Sequence, residues 1–524
     1  MPTDTVSYVQ SGMFSQIILD YLEGNEALKE FYHRSPDPEN FRLQIEEKSV
    51  NFNVDRNLLA DELLRQSVGN ISKVVQHNID LLRKPNTFTI TTGHQLTLFT
   101  GPLYFIYKIV QAIKMCHELK KAYPNFDFVP VYWMASEDHD FAEINHFNYR
   151  GNRISWPQSA GGAVGRLPLG GMDDVFAEFD KLMGRSDAAD QLRDLFKTAY
   201  LTSRTLAEAT RKLVNHLFAD LGLIVIDGDS VVLKQLFSSY IKEELLTQVA
   251  NEAVRETIDN WKYSPQVAPR EINLFYLGDG FRERIILQDN HYFVNNTDLR
   301  FTEAEILKEL QNYPERFSPN VILRPLYQEV ILPNLCYIGG GGEIAYWLEL
   351  KELFGRQNVT FPLLMLRNSV LLVSAKQSQK ADRLGLNWAD LFMPKEQLVQ
   401  KTTRRLSSVP LDFTALKQQL SAQFSHLKVL AQQTHPSFLS ALAAQEQKQL
   451  KGLLNLEKKL LRAERIRLSD QIRQVTLLKE ELFPGGLQER YANFAAFYET
   501  DDKLISTLLE KLNPWSKSFT IITI

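Results

Sequence analysis

Phe88–Lys108 reads FTITTGHQLTLFTGPLYFIYK, and how this stretch folds decides the rest. Phe88–Thr92 is an unbroken apolar and β-branched run, the pattern of a strand buried on both faces. It exits into Gly93-His94-Gln95, and Thr100-Gly101-Pro102 then opens a helical pattern lasting to about Ala122. Thr100 suits an N-cap, and Pro102 suits a first turn that needs no N–H. Strand, polar loop and capped helix in this order aim free backbone N–H groups beyond the strand end, where an anion is the natural occupant. An ordinary buried βα unit with a histidine in its loop is the alternative, since neither a Walker pattern nor G-x-G-x-x-G is present.

Downstream, Phe128–Met134 (FVPVYWM) repeats the pattern and ends in Ala135-Ser136-Glu137-Asp138-His139-Asp140. About thirty residues with one helix join the two strands, the size of a parallel crossover. Both polar clusters then lie on one edge of a parallel sheet, where ligands bind. Leu223–Ile226, before Asp227-Gly228-Asp229, is a third candidate strand, followed by a long helix over Val231–Ile258. Ile272–Leu277, Arg284–Leu287 and Tyr292–Val294 have the texture of antiparallel strands. The rhythm resumes over Asn320–Leu332, broken by Arg324-Pro325. Next comes Tyr337-Ile338-Gly339-Gly340-Gly341-Gly342-Glu343, a glycine run between an apolar segment and a helix over Ile344–Leu353. Such a run brings backbone N–H groups close to a ligand, or serves as a flexible connection. Val359–Leu366 forms a strand ending in Arg367-Asn368-Ser369.

The expected fold class is therefore α/β, a Rossmann-type parallel-sheet core with insertions and a helical C-terminal domain. Residues 1–147 hold N-terminal helices (Leu58–Leu64 and Val68–Leu82 among them) and the first half of the core. Residues 148–300 form a connective insertion with helices, the strand near 223–227 and short antiparallel strands. Residues 301–387 hold the second half with its glycine loop, and 388–524 a helical coiled-coil domain. Within Phe438–Leu482, the residues Leu454, Leu461, Leu468, Val475 and Leu482 recur every seventh position, the coiled-coil period. The second column, Leu450, Glu457, Glu464, Gln471 and Leu478, is too polar for a symmetric rod. An antiparallel hairpin or an irregular dimer seam fits it, and Leu487–Tyr498 reads as a closing helix.

A net charge of -4 over 524 residues gives no bulk attraction to nucleic acid or anionic membrane. No stretch approaches the roughly eighteen apolar residues of a membrane span, and the N-terminal stretch lacks the pattern of a signal peptide. A cytoplasmic protein is expected. The two cysteines, Cys116 and Cys336, stand far apart in apolar surroundings, which leaves no disulfide framework and places Cys336 in the core rather than as a nucleophile.

The strand ends supply the chemistry. His94 can donate to an anion or to charge developing on one, or be a satisfied core histidine. Glu137, Asp138 and Asp140 can hold an amine or sugar hydroxyls, and one of them, or Glu343, can take a proton from an attacking amine. With His139 they also resemble a fragment of a metal site, although adjacent residues of a strand face opposite ways. No metal ligand set is assigned. Arg367 or Arg324 can pair with a substrate carboxylate. A metal-dependent hydrolase of a sugar-linked amide and a non-catalytic helical adaptor are the rival functions.

The runs TTGHQLTLFTGPLYFIYK (Thr91–Lys108), VYWMASEDHDFAEINH (Val131–His146), LPNLCYIGGGGEIAYW (Leu332–Trp347) and GGLQER (Gly485–Arg490) resemble, in order and across essentially the whole chain, the BshC family of bacillithiol biosynthesis. The resemblance implies a Rossmann core of the class I synthetase-like kind, a C-terminal coiled coil supporting a homodimer, and a ligase. That ligase joins the carboxyl of L-cysteine to the amine of glucosaminyl-malate, with ATP and Mg²⁺ as the expected driver. On this basis His94, Gly93 and the Thr100-Gly101-Pro102 helix start bind an anion, while Glu137, Asp138 and Asp140 orient the amine or sugar. Gln95, His139 and Asn368 join them in holding substrate. Gly340, Gly341 and Gly342 admit substrate closely, and Arg367 or Arg324 takes the malate or cysteine carboxylate. The chain departs from class I synthetases in having one histidine after the first strand, and Arg367-Asn368-Ser369 in place of a lysine-serine loop.

Overall fold

The computed structural model describes residues 4–67 and 71–524; Val68, where one helix is expected to begin, lies outside them. Strands β1 (Thr87–His94), β2 (Asp127–Met134), β3 (Ile224–Asp227), β4 (Asn334–Gly339) and β5 (Leu363–Leu366) form one parallel sheet, in the order β3-β2-β1-β4-β5. Each is a continuous apolar or β-branched run because both sheet faces are covered. On one face Phe88, Ile90, Cys336, Ile338 and Met365 pack with Met115 and Cys116 of helix α1 (Tyr104–Ala122), so both cysteines are buried and free. The chain runs outward from β1 to β2 and β3, then returns to add β4 and β5 on the other side. Strand order therefore reverses between β1 and β4, and the crevice beyond their carboxyl ends is the expected ligand position.

Several local expectations are corrected. Helix α1 begins at Tyr104 with Leu103 in the cap position, so Thr100 caps nothing. Phe99, Thr100 and Gly101 instead form a left-handed turn, with φ of 47°, 68° and 61°. Asn493, far along the chain, donates 2.7 Å hydrogen bonds to the carbonyls of Phe99 and Gly101, which leaves the turn no need of helical partners. Arg324-Pro325 opens helix α2 (Leu323–Ile331) rather than breaking the segment, since proline is tolerated in a first turn. Two of the four glycines belong to helix α3 (Gly341–Leu348), which ends short of the expected Leu353. The helix expected over Val231–Ile258 breaks at Gln248, whose φ is +56°.

The insertion carries a second, antiparallel sheet. Leu274–Gly278, Phe281–Gln288 and His291–Val294 are its expected strands; Arg300–Phe301 and Phe317–Pro319 complete its edges, so it extends past residue 300. A third sheet is new to the sequence reading. The chain's last strand, Ser518–Thr523, pairs antiparallel with Asp4–Ser7 and parallel with Ser369–Val373. The expected helix over Leu487–Tyr498 is two single turns, Gln488–Tyr491 and Ala495–Tyr498. Gln488 there exchanges two 2.9 Å hydrogen bonds with the backbone of Leu372, standing in for a neighbouring strand.

Helices α4 (Thr414–Ala431) and α5 (Pro436–Arg467) form the C-terminal hairpin. Ion pairs Lys417–Glu457 and Lys428–Glu446, each 2.5 Å, hold them antiparallel, which accounts for the acidic residue at 457 in the second heptad column. The long helix breaks at Leu468, and α6 (Ser469–Leu482) lays Val475 and Leu482 into the main core. Leu468 packs on Val399 and Ile472 of the same chain. The seven-residue column is thus shared between hairpin and body. Among the described residues no helix is long and apolar enough to cross a membrane.

Candidate functional site

A cavity of about 1030 Å³ opens at the carboxyl ends of β1, β2 and β4, walled on the far side by the inserted sheet. At its floor is a charge pair, its lysine buried and its carboxylate partly exposed. The Lys108 ammonium lies 2.5 Å from Glu343 Oε2 and donates to the Gly93 carbonyl at 2.8 Å. Glu343 also accepts from the Tyr337 hydroxyl (2.6 Å) and the Gly340 N–H (2.7 Å). Burial pushes its carboxyl up, but Lys108 and these donors outweigh burial and hold it below the ordinary carboxylate value. This pair ties β1 to the start of α3 across the point where strand order reverses.

His94 stands beside the pair, its ring against Tyr104 and Phe105 and its Nε2 3.4 Å from the Thr97 hydroxyl. Burial, and then the neighbouring Lys108 charge, depress its pKa to about 3. The imidazole is therefore neutral at working pH, able to hydrogen-bond but not to act as a cation. An NMR titration between pH 5 and 8 should leave the His94 ring shifts unchanged; a midpoint near 6.5 would contradict this. The linkage has a definite sign: the unfolded histidine binds a proton below about 6.5 and the folded one does not. His94 therefore withdraws stability as pH falls from 6.5 toward 3.

The end of β2 turns at once, so its four polar residues diverge. Glu137 forms a buried ion pair with Lys234 of the helix Val231–Thr247. Burial raises its carboxyl pKa against the pull of Lys234. Asp138 accepts a 2.8 Å hydrogen bond from Gln95 Nε2, and its other oxygen accepts from the His139 N–H. Arg282 donates to His139 Nδ1 at 2.8 Å and lies 4.0 Å from the centre of the Phe275 ring. Asp140 is exposed at the rim. Among the described residues no three His, Cys, Asp or Glu side chains form a set that could hold a metal ion.

His94, Gly93, Gln95, Glu137, Asp138, His139, Asp140, Arg324, Gly340, Gly341, Gly342, Glu343 and Arg367 all line this cavity. Four expected residues do not. Thr100 is buried within the left-handed turn, and Gly101 and Pro102 line a separate small pocket. Asn368 is buried, its N–H on Gln111 and its amide on the Asn513 carbonyl, because the chain there passes into the third sheet. Arg367, though at the wall, is engaged: it donates to Glu489 at 2.8 Å and stacks over Tyr104. Arg324 is the freer cation, with Nη1 on Gln328 and Nη2 buried without a partner.

Sequence reasoning missed Lys108, Arg270, Arg282, Arg284 and Arg490, all of them lining the cavity. Lys108 had a signal, being the one charge in the apolar stretch LYFIYKIVQAI (Leu103–Ile113). Arg282 and Arg284, two apart on one strand, share a sheet face. Arg490 lies in the GGLQER run but arrives from the C-terminal part of the chain. Arg270, Arg284 and Arg490 have no carboxylate partner among the described residues.

Residues 1–368 match the family model described as the N-terminal Rossmann-like domain of bacillithiol biosynthesis BshC, and residues 370–524 match its C-terminal coiled-coil domain. A Flavobacterium johnsoniae protein is 52% identical over 100% of both chains. One from Flavobacterium psychrophilum is 50% identical over 100% of this chain and 99% of its own. Both bear the name "Putative cysteine ligase BshC". A solved Campylobacter jejuni chain titled "putative arginyl t-RNA synthetase" aligns at 9% identity over 87% of this chain and 98% of its own; its TM-score of 0.21 carries no argument.

Proposed function

Because this chain belongs to the BshC family of bacillithiol biosynthesis, we propose that it is the ligase joining the carboxyl of L-cysteine to the amine of glucosaminyl-malate, coupled to ATP. The observation that carries this reading is the mixed charge of the cavity. Arg270, Arg284 and Arg324 line it on one set of walls and Asp138 on another. A substrate with carboxylates at one end and an amine at the other matches both sets.

An amide does not form from a free carboxylate and an amine in water, so the carboxyl needs activation, which ATP supplies. The residues fit a phosphate. Gly341 and Gly342 open α3, so their N–H groups have no partner inside the helix, and a side chain at Gly342 would meet nothing within 4 Å. Magnesium carried with phosphate needs only one or two carboxylates, and Asp140, exposed at the rim, would supply one. In this scheme Asp138, steadied by Gln95, takes the proton from the attacking amine. Neutral His94 donates to the oxygen on which charge develops. Lys108 and Glu343 hold the β1 and α3 ends in position, and Arg324 takes a malate carboxylate. The reaction belongs in the cytoplasm with its nucleotide.

A reconstituted assay with glucosaminyl-malate, cysteine and ATP tests this. Bacillithiol should form with stoichiometric nucleotide turnover, AMP marking adenylation and ADP a phosphorylated intermediate. Absence of bacillithiol, or bacillithiol formed without nucleotide turnover, would contradict it.

We also propose a homodimer through the hairpin. Phe438, Leu439, Leu454 and Leu456 of α5 are exposed large hydrophobics, apolar side chains that a partner would cover. Leu454→Glu with Leu456→Glu should sediment as a monomer with an unchanged melting temperature, whereas a charge at Leu468 would disturb packing within the chain. Unchanged mass would count against the dimer.

A further inference from the structure

A second pocket of about 90 Å³ adjoins the large cavity, and Gln95, Tyr104 and Arg490 are common to both. Glu143 and Arg490 give it one charge of each sign, and Pro102 and Phe147 an apolar wall. The two charges do not pair with each other among the described residues; Glu143 accepts only from Gln95 Nε2, at 2.9 Å. Arg490 follows two buried residues, Gln488 and Glu489, which are hydrogen-bonded to Leu372, Val370 and Arg367. Its backbone is thereby anchored while its guanidinium stays free. The pocket is too small for a sugar or a nucleotide and suits a small zwitterion, with a cation and an anion for the two ends of an α-amino acid.

We infer that this side pocket is the L-cysteine subsite, with Arg490 facing the α-carboxylate, Glu143 the α-ammonium, and the thiol against Pro102 and Phe147. The inference rests on the ligase reading and deepens it. Gln95 stands between the two pockets, one amide nitrogen donating to Glu143 and to Asp138. Cysteine would thus lie across Gln95 from the carboxylate assigned to the incoming amine. Its carboxyl would be directed at the shared wall where the pockets meet.

The test is calorimetric titration of L-cysteine, and separately of glucosaminyl-malate, into the wild-type protein, Arg490→Lys and Glu143→Gln. Each variant should weaken cysteine binding about tenfold or more and leave glucosaminyl-malate binding and the melting temperature unchanged. Wild-type affinity for cysteine in both variants, or a loss falling on glucosaminyl-malate, would overturn the assignment. Turnover separates the two claims. An active wild type with unaffected variants sinks the subsite alone. Arg490-dependent cysteine binding without product sinks the ligase reading and leaves the subsite standing.

Discussion

Lys108→Met should lower the free energy of unfolding by about 1–3 kcal/mol, the usual consequence of removing one partner of a largely buried hydrogen-bonded pair. The Lys108 side chain is 2% exposed and that of Glu343 27%. Without the ammonium, Glu343 keeps only the Tyr337 hydroxyl and the Gly340 N–H against burial. The Gly93 carbonyl, next to His94, also loses its buried donor. Adding Glu343→Gln removes the stranded charge, so the double variant should be less damaged than the two single losses added together. The pH dependence has a sign. In the wild type Glu343 titrates below its unfolded value, so the stability it contributes is present above that value and is lost as pH falls. In Lys108→Met the carboxyl moves up instead, and the deficit relative to wild type should shrink as pH falls from 6 toward 4. A urea melt giving less than about 1 kcal/mol for the single variant would mean that the pair does not hold the two strand ends.

Asp138→Asn should reduce product formation by about a hundredfold or more, the ordinary contribution of a positioned general base, with a nearly unchanged melting temperature. The side chain is 27% exposed. Asparagine keeps an oxygen for the His139 N–H, and the Gln95 amide can turn to Glu143, which it already contacts. Only proton acceptance is lost. Glu137 is the instructive contrast, because its carboxylate is paired with Lys234 inside the wall. Glu137→Gln should destabilise the protein before it says anything about chemistry. Full turnover in Asp138→Asn would move the base elsewhere in the cavity.

The parallel core was legible because its strands are buried on both faces, so each reads as an apolar run ending in a polar cluster. That alone brings His94, Asp138, Gly341 and Arg367 to one sheet edge, and the structure does bring them to one cavity. What was not legible depends on partners remote in the chain. Thr100 carries the local marks of a helix cap, but Asn493 satisfies a left-handed turn there instead. Arg367 has the marks of a carboxylate clamp, but Glu489 occupies it. The third sheet joins the two ends of the chain to Ser369–Val373, a pairing that no local pattern announces. Lys108 could have been found, since a lone charge on a helix face otherwise apolar needs a buried partner.

The central claim is that ligation takes place in the crevice between the carboxyl ends of β1 and β4. A crystal structure of the protein soaked with glucosaminyl-malate tests it most directly. The ligand should lie in that crevice with a malate carboxylate against the Arg324 side chain and its amine facing Asp138. Density for the ligand outside the crevice, touching neither Arg324 nor Asp138, would contradict the account.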